Sequence, residues 1–288
     1  MGSSNKTKKI WDRTISKYWE ETLSSPWRPS TKDVKNYRKG LKKIKSTENI
    51  FILGATPELR ILANQFGKQI WVADHSLKMI LEMNELIGSI NLKKEKFIPG
   101  DWHVLKNSLK IKSLDGILGD LVLRLITKKR KTFLKMISEL LKPEGVFITR
   151  IHFIDESLTK LTVEEIIEEG FFLQELGMFR RGMELKNSLI SRILDRYYLF
   201  GISDIKRRVR DDINNYLTVN STIGFDKEKI LKGVFNRFDN KRLSNFFPQT
   251  KKAIEKEIST FFKIEDKLIA SDYVDAEFFP VYILRPRS

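Results

Sequence analysis

Between residues 49 and 153 the apolar positions alternate between two rhythms. Asn49-Ile50-Phe51-Ile52-Leu53 is a short apolar run that stops at Gly54, and Pro57-Glu58-Leu59 opens a helix with apolar positions at Leu59, Leu62, Ala63 and Phe66. Gly67 ends that helix, and the pattern returns to a strand at Gln69-Ile70-Trp71-Val72-Ala73. The same alternation predicts a helix over 76–87, strands at 96–99 and 114–118, a helix over 128–141 stopped by Pro143 and Gly145, and a strand at 146–151. Strand and helix in turn at this spacing require parallel strands joined by crossovers.

The flanks follow other patterns. Residues 1–47 are aromatic and basic and read as a helix, a turn at Ser24-Ser25-Pro26-Trp27-Arg28-Pro29-Ser30, and a second helix from about Thr31. Pro26 and Pro29 restrict the backbone of the residue before each, which breaks the helical pattern there. Residues 154–260 carry long helical patterns, such as 184–200 and 204–217, with little strand character. Strand patterns return at 262–269 and 278–284, where two strands can pair as a hairpin added to the sheet edge. The expected fold class is α/β: a Rossmann-like doubly wound sheet, mostly parallel with a C-terminal antiparallel hairpin, plus an N-terminal helical lid and a helical insertion. The corresponding organisation is a lid at 1–47, a nucleotide-binding core at 48–153, a helical cap insertion at 154–260, and a hairpin at 261–288 that completes the core sheet.

Composition narrows the function classes. A length of 288 residues fits one core with an elaboration. No apolar run reaches the roughly 18 residues of a membrane span, and the first residues lack the apolar stretch of a secretory signal. A soluble, cytoplasmic protein without a membrane partner is expected. Lys6 stands where a myristoylation motif at Gly2 would have Ser or Thr. Zero cysteine excludes disulfides, thiolate metal sites and thiol nucleophiles, and no metal site is expected. A formal charge of +16 makes polyanions, nucleic acid included, attractive partners. The tightest basic clusters are Lys128-Lys129-Arg130-Lys131 and Lys206-Arg207-Arg208 with Arg210. Lysine is spread almost everywhere else, so solvated helix faces are the plainer reading.

In an open parallel sheet, ligands bind beyond the carboxyl ends of the strands, and the first strand-to-helix turn lies there. Here that turn is Gly54-Ala55-Thr56-Pro57-Glu58. Gly54 lets a ligand approach the backbone, Ala55 keeps the wall low, and Pro57 suits a first helical position. The second strand ends at Asp74, 20 residues after Gly54 (74 − 54), the separation at which an acid accepts hydrogen bonds from ribose hydroxyls. A nicotinamide dinucleotide would give the same spacing, but its pyrophosphate needs glycines where this turn has Ala, Thr and Leu. S-adenosylmethionine has no phosphate and carries a cationic sulfonium and amine, which the acidic Glu58 would favour. The alternative is an ordinary loop glycine at Gly54 and a helix cap at Asp74.

These residues resemble the class I S-adenosylmethionine-dependent methyltransferase family over roughly 49–153 and again over 262–285. The glycine-rich first motif is similar to Ile52-Leu53-Gly54-Ala55-Thr56-Pro57-Glu58-Leu59, with Ala55 at the second glycine and no third. The ribose-binding acid resembles Asp74, and the adenine-flanking acid resembles Asp101 in Pro99-Gly100-Asp101-Trp102. The fourth-strand motif resembles Asp115-Gly116-Ile117-Leu118-Gly119-Asp120-Leu121-Val122-Leu123, and the turn before the fifth strand resembles Leu141-Lys142-Pro143-Glu144-Gly145. The resemblance implies S-adenosyl-L-methionine as cofactor, held by Gly54, Ala55, Thr56, Glu58, Asp74, His75, Asp101, Trp102 and Asp120. It places Trp102 against the adenine edge, although a large aromatic after a turn also serves packing.

Methyl transfer from a sulfonium chiefly needs alignment and exclusion of water, and a base only where the acceptor holds a proton. The three histidines, His75, His103 and His152, all follow predicted strand ends, and imidazole suits general-base work. In the resemblance the fifth-strand end lies toward the acceptor, which singles out His152; a loop hydrogen bond is its alternative role. Asp120, the second catalytic candidate, and Arg124 flank the fourth-strand end as acceptor contacts or as partners of each other. Trp11, Tyr18, Trp19, Trp27 and Tyr37 concentrate in the lid. Trp11, Tyr18 and Trp19 have the spacing of a packed helix face, whereas Trp27 in the turn is an acceptor contact with Arg124 and His152. The expected activity is in-line methyl transfer to N or O of a small-molecule or peptide acceptor. RNA methylation through the basic clusters and a non-catalytic cofactor-binding protein stand as alternatives. The oligomeric state has no signal in the sequence.

Overall fold

A computed structural model describes residues 19, 23–88, 90–126, 129–202, 204–220, 222, 224–239 and 249–287. The first expected helix, with Trp11 and Tyr18, and Lys128 of the first basic cluster lie outside them. Strands β1 (Asn49–Leu53), β2 (Gln69–Asp74), β3 (Glu95–Pro99), β4 (Leu114–Asp120) and β5 (Leu141–Arg150) are parallel. Strands β6 (Phe262–Leu268) and β7 (Val281–Pro286) are antiparallel to each other, and β7 is antiparallel to β5. The sheet order is β3-β2-β1-β4-β5-β7-β6. The order reverses between β1 and β4, which puts the crevice beyond Leu53 and Asp120.

Strand β1 is apolar without alternation because helices cover both faces of the sheet. Ile50 and Ile52 point to the side of Tyr37, Leu41, Leu59 and Leu62. These come from α1 (Thr31–Leu41) and α2 (Pro57–Phe66). Phe51 and Leu53 point to the other side, with Phe133, Leu134 and Ile137 of α5 (Arg130–Leu140) and Ile254 and Ile258 of α10 (Lys251–Ser259). Short helices α3 (Leu77–Glu82) and α4 (Val122–Leu125) follow β2 and β4. Arg60 of α2 is fully buried and reaches Glu95 of β3 (Nη2–Oε2 2.5 Å) and the Ile80 carbonyl of α3 (3.0 Å), tying three elements behind the first turn.

Helix α1 starts at a capping box in which the Ser30 hydroxyl accepts from Asp33 N and the Asp33 carboxylate accepts from Ser30 N. It lies close on the sheet because Gly40 has no side chain; a Cβ there would stand 2.6 Å from Ile148 Cδ1. Helices α6 (Val163–Glu175), α7 (Gly182–Leu199), α8 (Ile205–Val219) and α9 (Phe225–Asp239) share their own apolar cluster, including Ile166, Leu189, Ile193, Ile213, Leu231 and Val234. Among the described residues no helix is long and apolar enough to cross a membrane.

Some boundaries differ from the pattern. The helix expected over 76–87 is α-helical to Glu82 and tightens to a 3₁₀ turn at Met83–Leu86. Strand β5 begins at Leu141, ahead of Gly145, with a register shift between Leu114 and Gly116 of its partner. The last strand begins at Val281 because Pro280 has no N–H to donate, and Ala276–Phe278 is a 3₁₀ turn. The fourth-strand motif leaves the sheet at Asp120, where Leu121 takes φ +53° and turns the chain into α4.

Candidate functional site

The turn after β1 depends on Gly54, whose φ of +91° lies where residues with a side chain are strained. Its N–H donates to the Ala73 carbonyl at 2.7 Å. A Cβ there would stand 3.8 Å from Trp102 Cζ2 and 4.0 Å from Asp74 Oδ2, so the indole and the carboxylate flank the same bare Cα. Asp74 Oδ1 accepts from Ser76 N at 2.9 Å, while the Ser76 hydroxyl caps α3 through Met79 N at 3.1 Å. The cap is therefore Ser76, and Asp74 Oδ2 is left toward Gly54. Burial pushes the Asp74 carboxyl above its ordinary value, opposed by the Ser76 and Ala55 N–H groups and His75.

Trp102 packs beside Phe51, Leu53, Ala73 and Leu105, and its indole N–H donates to the Ala73 carbonyl at 2.9 Å. It forms a wall of the crevice with its polar edge already bonded. Ala55 is buried, Thr56 is half-buried, and Asp101 and His75 are exposed at the rim. Asp101 Oδ1 accepts from His103 N at 2.9 Å, capping the 3₁₀ turn Trp102–Asn107.

Glu58, in the first turn of α2, meets Trp19 and Arg28 of the N-terminal segment. Its Oε1 accepts from Trp19 Nε1 at 3.2 Å and pairs with Arg28, whereas the buried Oε2 has no hydrogen-bond partner among the described residues. Its negative charge acts on Asp120 across the β1–β4 crevice. One unfilled carboxylate oxygen beside a second acid suits a cationic amine, and the open Gly54 turn suits a ligand without phosphate. The residues present thus fit S-adenosylmethionine.

The ends of β4 and β5 hold a network that the sequence reading missed. Arg150, fully buried, binds Asp120 through two parallel contacts (Nε–Oδ1 2.8 Å, Nη2–Oδ2 2.9 Å) and Asp33 of α1 through Nη1 (2.9 Å). The Tyr37 hydroxyl donates to the Gly119 carbonyl at 2.7 Å and accepts from Arg150 N at 2.8 Å. Burial alone would lower the Arg150 value; the charges of Asp120 and Asp33 overcome it and hold the guanidinium ionised. Asp120 is thus paired with Arg150 and not with Arg124.

Trp27, Arg124 and His152 come together where the turn before α1, the strand ends and α7 meet. The Arg124 guanidinium lies 4.2 Å from the centre of the Trp27 ring, and Trp27 Nε1 donates to the Asn187 carbonyl of α7 at 3.2 Å. His152 stacks on Phe279 with ring centres 4.4 Å apart, and its Nε2 lies 2.9 Å from Asp195 Oδ2 of α7. Its Nδ1 is buried without a hydrogen-bond partner among the described residues. Burial pushes the imidazole below its ordinary value; Asp195 opposes this and Arg124 adds to it. Asp195 was missed, although a signal existed. Asn187, Ser191 and Asp195 recur at helical spacing among the apolar positions of α7, and a buried polar stripe on a helix needs partners.

His103 makes an edge contact with Phe133, away from this seam. Arg130 of the first basic cluster is buried and paired with Glu257 at 2.6 Å. In the second, Arg207 pairs with Asp204 at 3.3 Å and Arg210 lies over Phe235. A cavity of about 520 Å³ opens inside the insertion beside Tyr197, Arg208 and Tyr216, apart from the strand ends. Among the described residues no group of three or more His, Asp or Glu could hold a metal ion.

No protein-family model matches the chain, and no curated protein matches it in sequence. Among solved structures, it is similar to a Rhodobacter sphaeroides chain described as a zinc-dependent alcohol dehydrogenase (13% identity, 100% of both chains, TM-score 0.57). It is also similar to a chain of the Haloferax volcanii complex between the Trm112 methyltransferase activator and a methyltransferase (11% identity, 96% of this chain and 95% of that one, TM-score 0.50). A third is an exported protein of Bordetella parapertussis (12% identity, 88% of this chain and 67% of that one, TM-score 0.50). At these identities the likeness is one of fold. With five parallel strands reversing order between β1 and β4, and an antiparallel β7 set between β5 and β6, the chain has the fold of class I S-adenosylmethionine-dependent methyltransferases.

Proposed function

We propose that this protein is an S-adenosylmethionine-dependent methyltransferase acting on N or O of a small-molecule or peptide acceptor. The observation that carries the reading is the bare Gly54 Cα flanked by Asp74 and Trp102, on a turn lacking the dinucleotide glycines. The bound cofactor supplies a methyl group already activated on a sulfonium. Gly54, Ala55 and Thr56 admit it along the backbone, Asp74 accepts from its ribose hydroxyls, and Trp102 walls its base. His75 and Asp101 border the same end. Glu58, through its unfilled Oε2, and Asp120 face its amine. Trp27, Arg124 and His152 receive the acceptor, with His152 or Asp120 as the group that takes a proton, and the lid residues Trp19, Trp27 and Arg28 exclude water.

The test is transfer of tritium from methyl-labelled S-adenosylmethionine into a fractionated cell extract. Label in the low-mass or peptide fraction is expected. Salt-sensitive label in RNA would move the acceptor to nucleic acid, and tight binding of the cofactor with no label in any fraction would mark a non-catalytic binding protein.

A further inference from the structure

Helix α7 sends a polar stripe into the molecule. Asn187 Nδ2 donates to Ser24 Oγ of the lid turn at 2.8 Å, Ser188 donates to Asp275, and Asp195 meets His152. Ser191 Oγ, Asp195 Oδ1 and His152 Nδ1 are buried with no partner among the described residues. Ser191 and Asp195 are one helical turn apart on the same face, and the Asp195–His152 bond fixes where that face meets the core. Buried polar atoms left unpaired in one place mark a ligand or water site.

Resting on the methyltransferase reading, we infer that the acceptor is a hydroxylated small molecule whose O–H is deprotonated by His152 Nδ1, with Asp195 of the insertion as the positioning residue. The carboxylate accepts the Nε2 proton, so the neutral imidazole keeps its lone pair on Nδ1. Burial and the Arg124 charge keep the ring neutral, ready to take a proton. The charged groups acting on the ring are Asp195 of α7, Arg124 of α4 and Arg150 of β5, and Tyr198 of α7 feels both Asp195 and Arg124. A guanidinium here favours an oxygen that becomes anionic and repels an ammonium, which separates oxygen from amine acceptors. The acceptor O–H bond breaks with its proton going to Nδ1 and its electron pair remaining on oxygen. That oxygen forms the bond to the methyl carbon, the pair of the broken S–CH3 bond stays on sulfur, and Asp195 holds the imidazolium.

The test is nitrogen-15 NMR of the three histidine rings in the full chain, with His152→Gln assigning the resonance. At neutral pH the expected form has Nε2 protonated and Nδ1 bare. Asp195→Asn should lose that preference and lower the titration midpoint, and Arg124→Gln should raise it, opposite signs that mere loosening would not produce. With S-adenosylhomocysteine present, excess phenol should shift the Nδ1 resonance and excess benzylamine should not. A protonated Nδ1 in the unmodified protein, or a response to benzylamine or to neither probe, overturns the assignment. Calorimetric binding of S-adenosylhomocysteine should be retained in both variants. If the unmodified protein fails to bind it, the cofactor reading falls while the tautomer result stands by itself.

Discussion

The crevice has two sides built in different ways. On the β1–β2–β3 side, Gly54, Asp74 and Trp102 lie within one stretch of chain, and the groups at the turn are a bare Cα and one carboxylate oxygen. On the β4–β5 side, α1, the strand ends and α7 each contribute, and the polar groups are buried against one another: Asp33 and Asp120 on Arg150, Asp195 on His152. The first side is an open cradle set by backbone geometry. The second is a closed seam whose charged and polar groups are paired with one another, so a substitution there should disturb binding and stability together, and one in the cradle should separate them.

Substitutions can break that contrast. The largest effect is expected for Gly54→Val: a branched Cβ at φ +91° is strained and fills the space beside Asp74, so S-adenosylhomocysteine binding should vanish by calorimetry. Arg150→Met leaves two buried carboxylates unpaired and should cost about 3–5 kcal/mol in urea unfolding. A stability loss near zero there would show that the seam does not depend on the pair. Asp74→Ala should weaken S-adenosylhomocysteine on the order of tenfold or more with only a small fall in melting temperature; the reverse pattern would make Asp74 a structural residue. Asp275, on the seam with Ser188, has its carboxyl pushed from 3.8 up to about 6, chiefly by burial. The native state thus binds this proton more tightly than the unfolded chain, and the resulting penalty grows as pH rises from 3.8 and is complete above about 6. Asp275→Asn, at a left-handed φ of +67° that asparagine tolerates, should stabilise by on the order of 1 kcal/mol above that range. The gain should disappear below about pH 4.

The open side was legible in the sequence for a physical reason. A strand, a glycine turn, a helix and a second strand fix one another's spacing, so 20 residues from Gly54 to Asp74 already place the two together. The sheet with its late antiparallel hairpin was legible by the same periodicity. The seam was not, because Asp33, Asp120, Arg150 and Asp195 are distant in sequence and their pairing depends on how α1 and α7 pack. Arg150 sits in an apolar strand pattern, where its charge gives no hint of partners. Asp120 and Arg124, neighbours in sequence, look like a pair, but the turn at Leu121 sends Arg124 toward Trp27 and leaves Asp120 to Arg150. The helix expected from 76 begins there with Ser76 as its cap, so the alternative role of Asp74 as that cap falls away.

The most direct test of the account is a pair of calorimetric titrations of the unmodified protein, one with S-adenosylhomocysteine and one with NADH. Saturable binding of S-adenosylhomocysteine at one site, with no heat from NADH, is the predicted result. Binding of NADH with none of S-adenosylhomocysteine would contradict it, and would make the Gly54–Asp74 crevice a dinucleotide site.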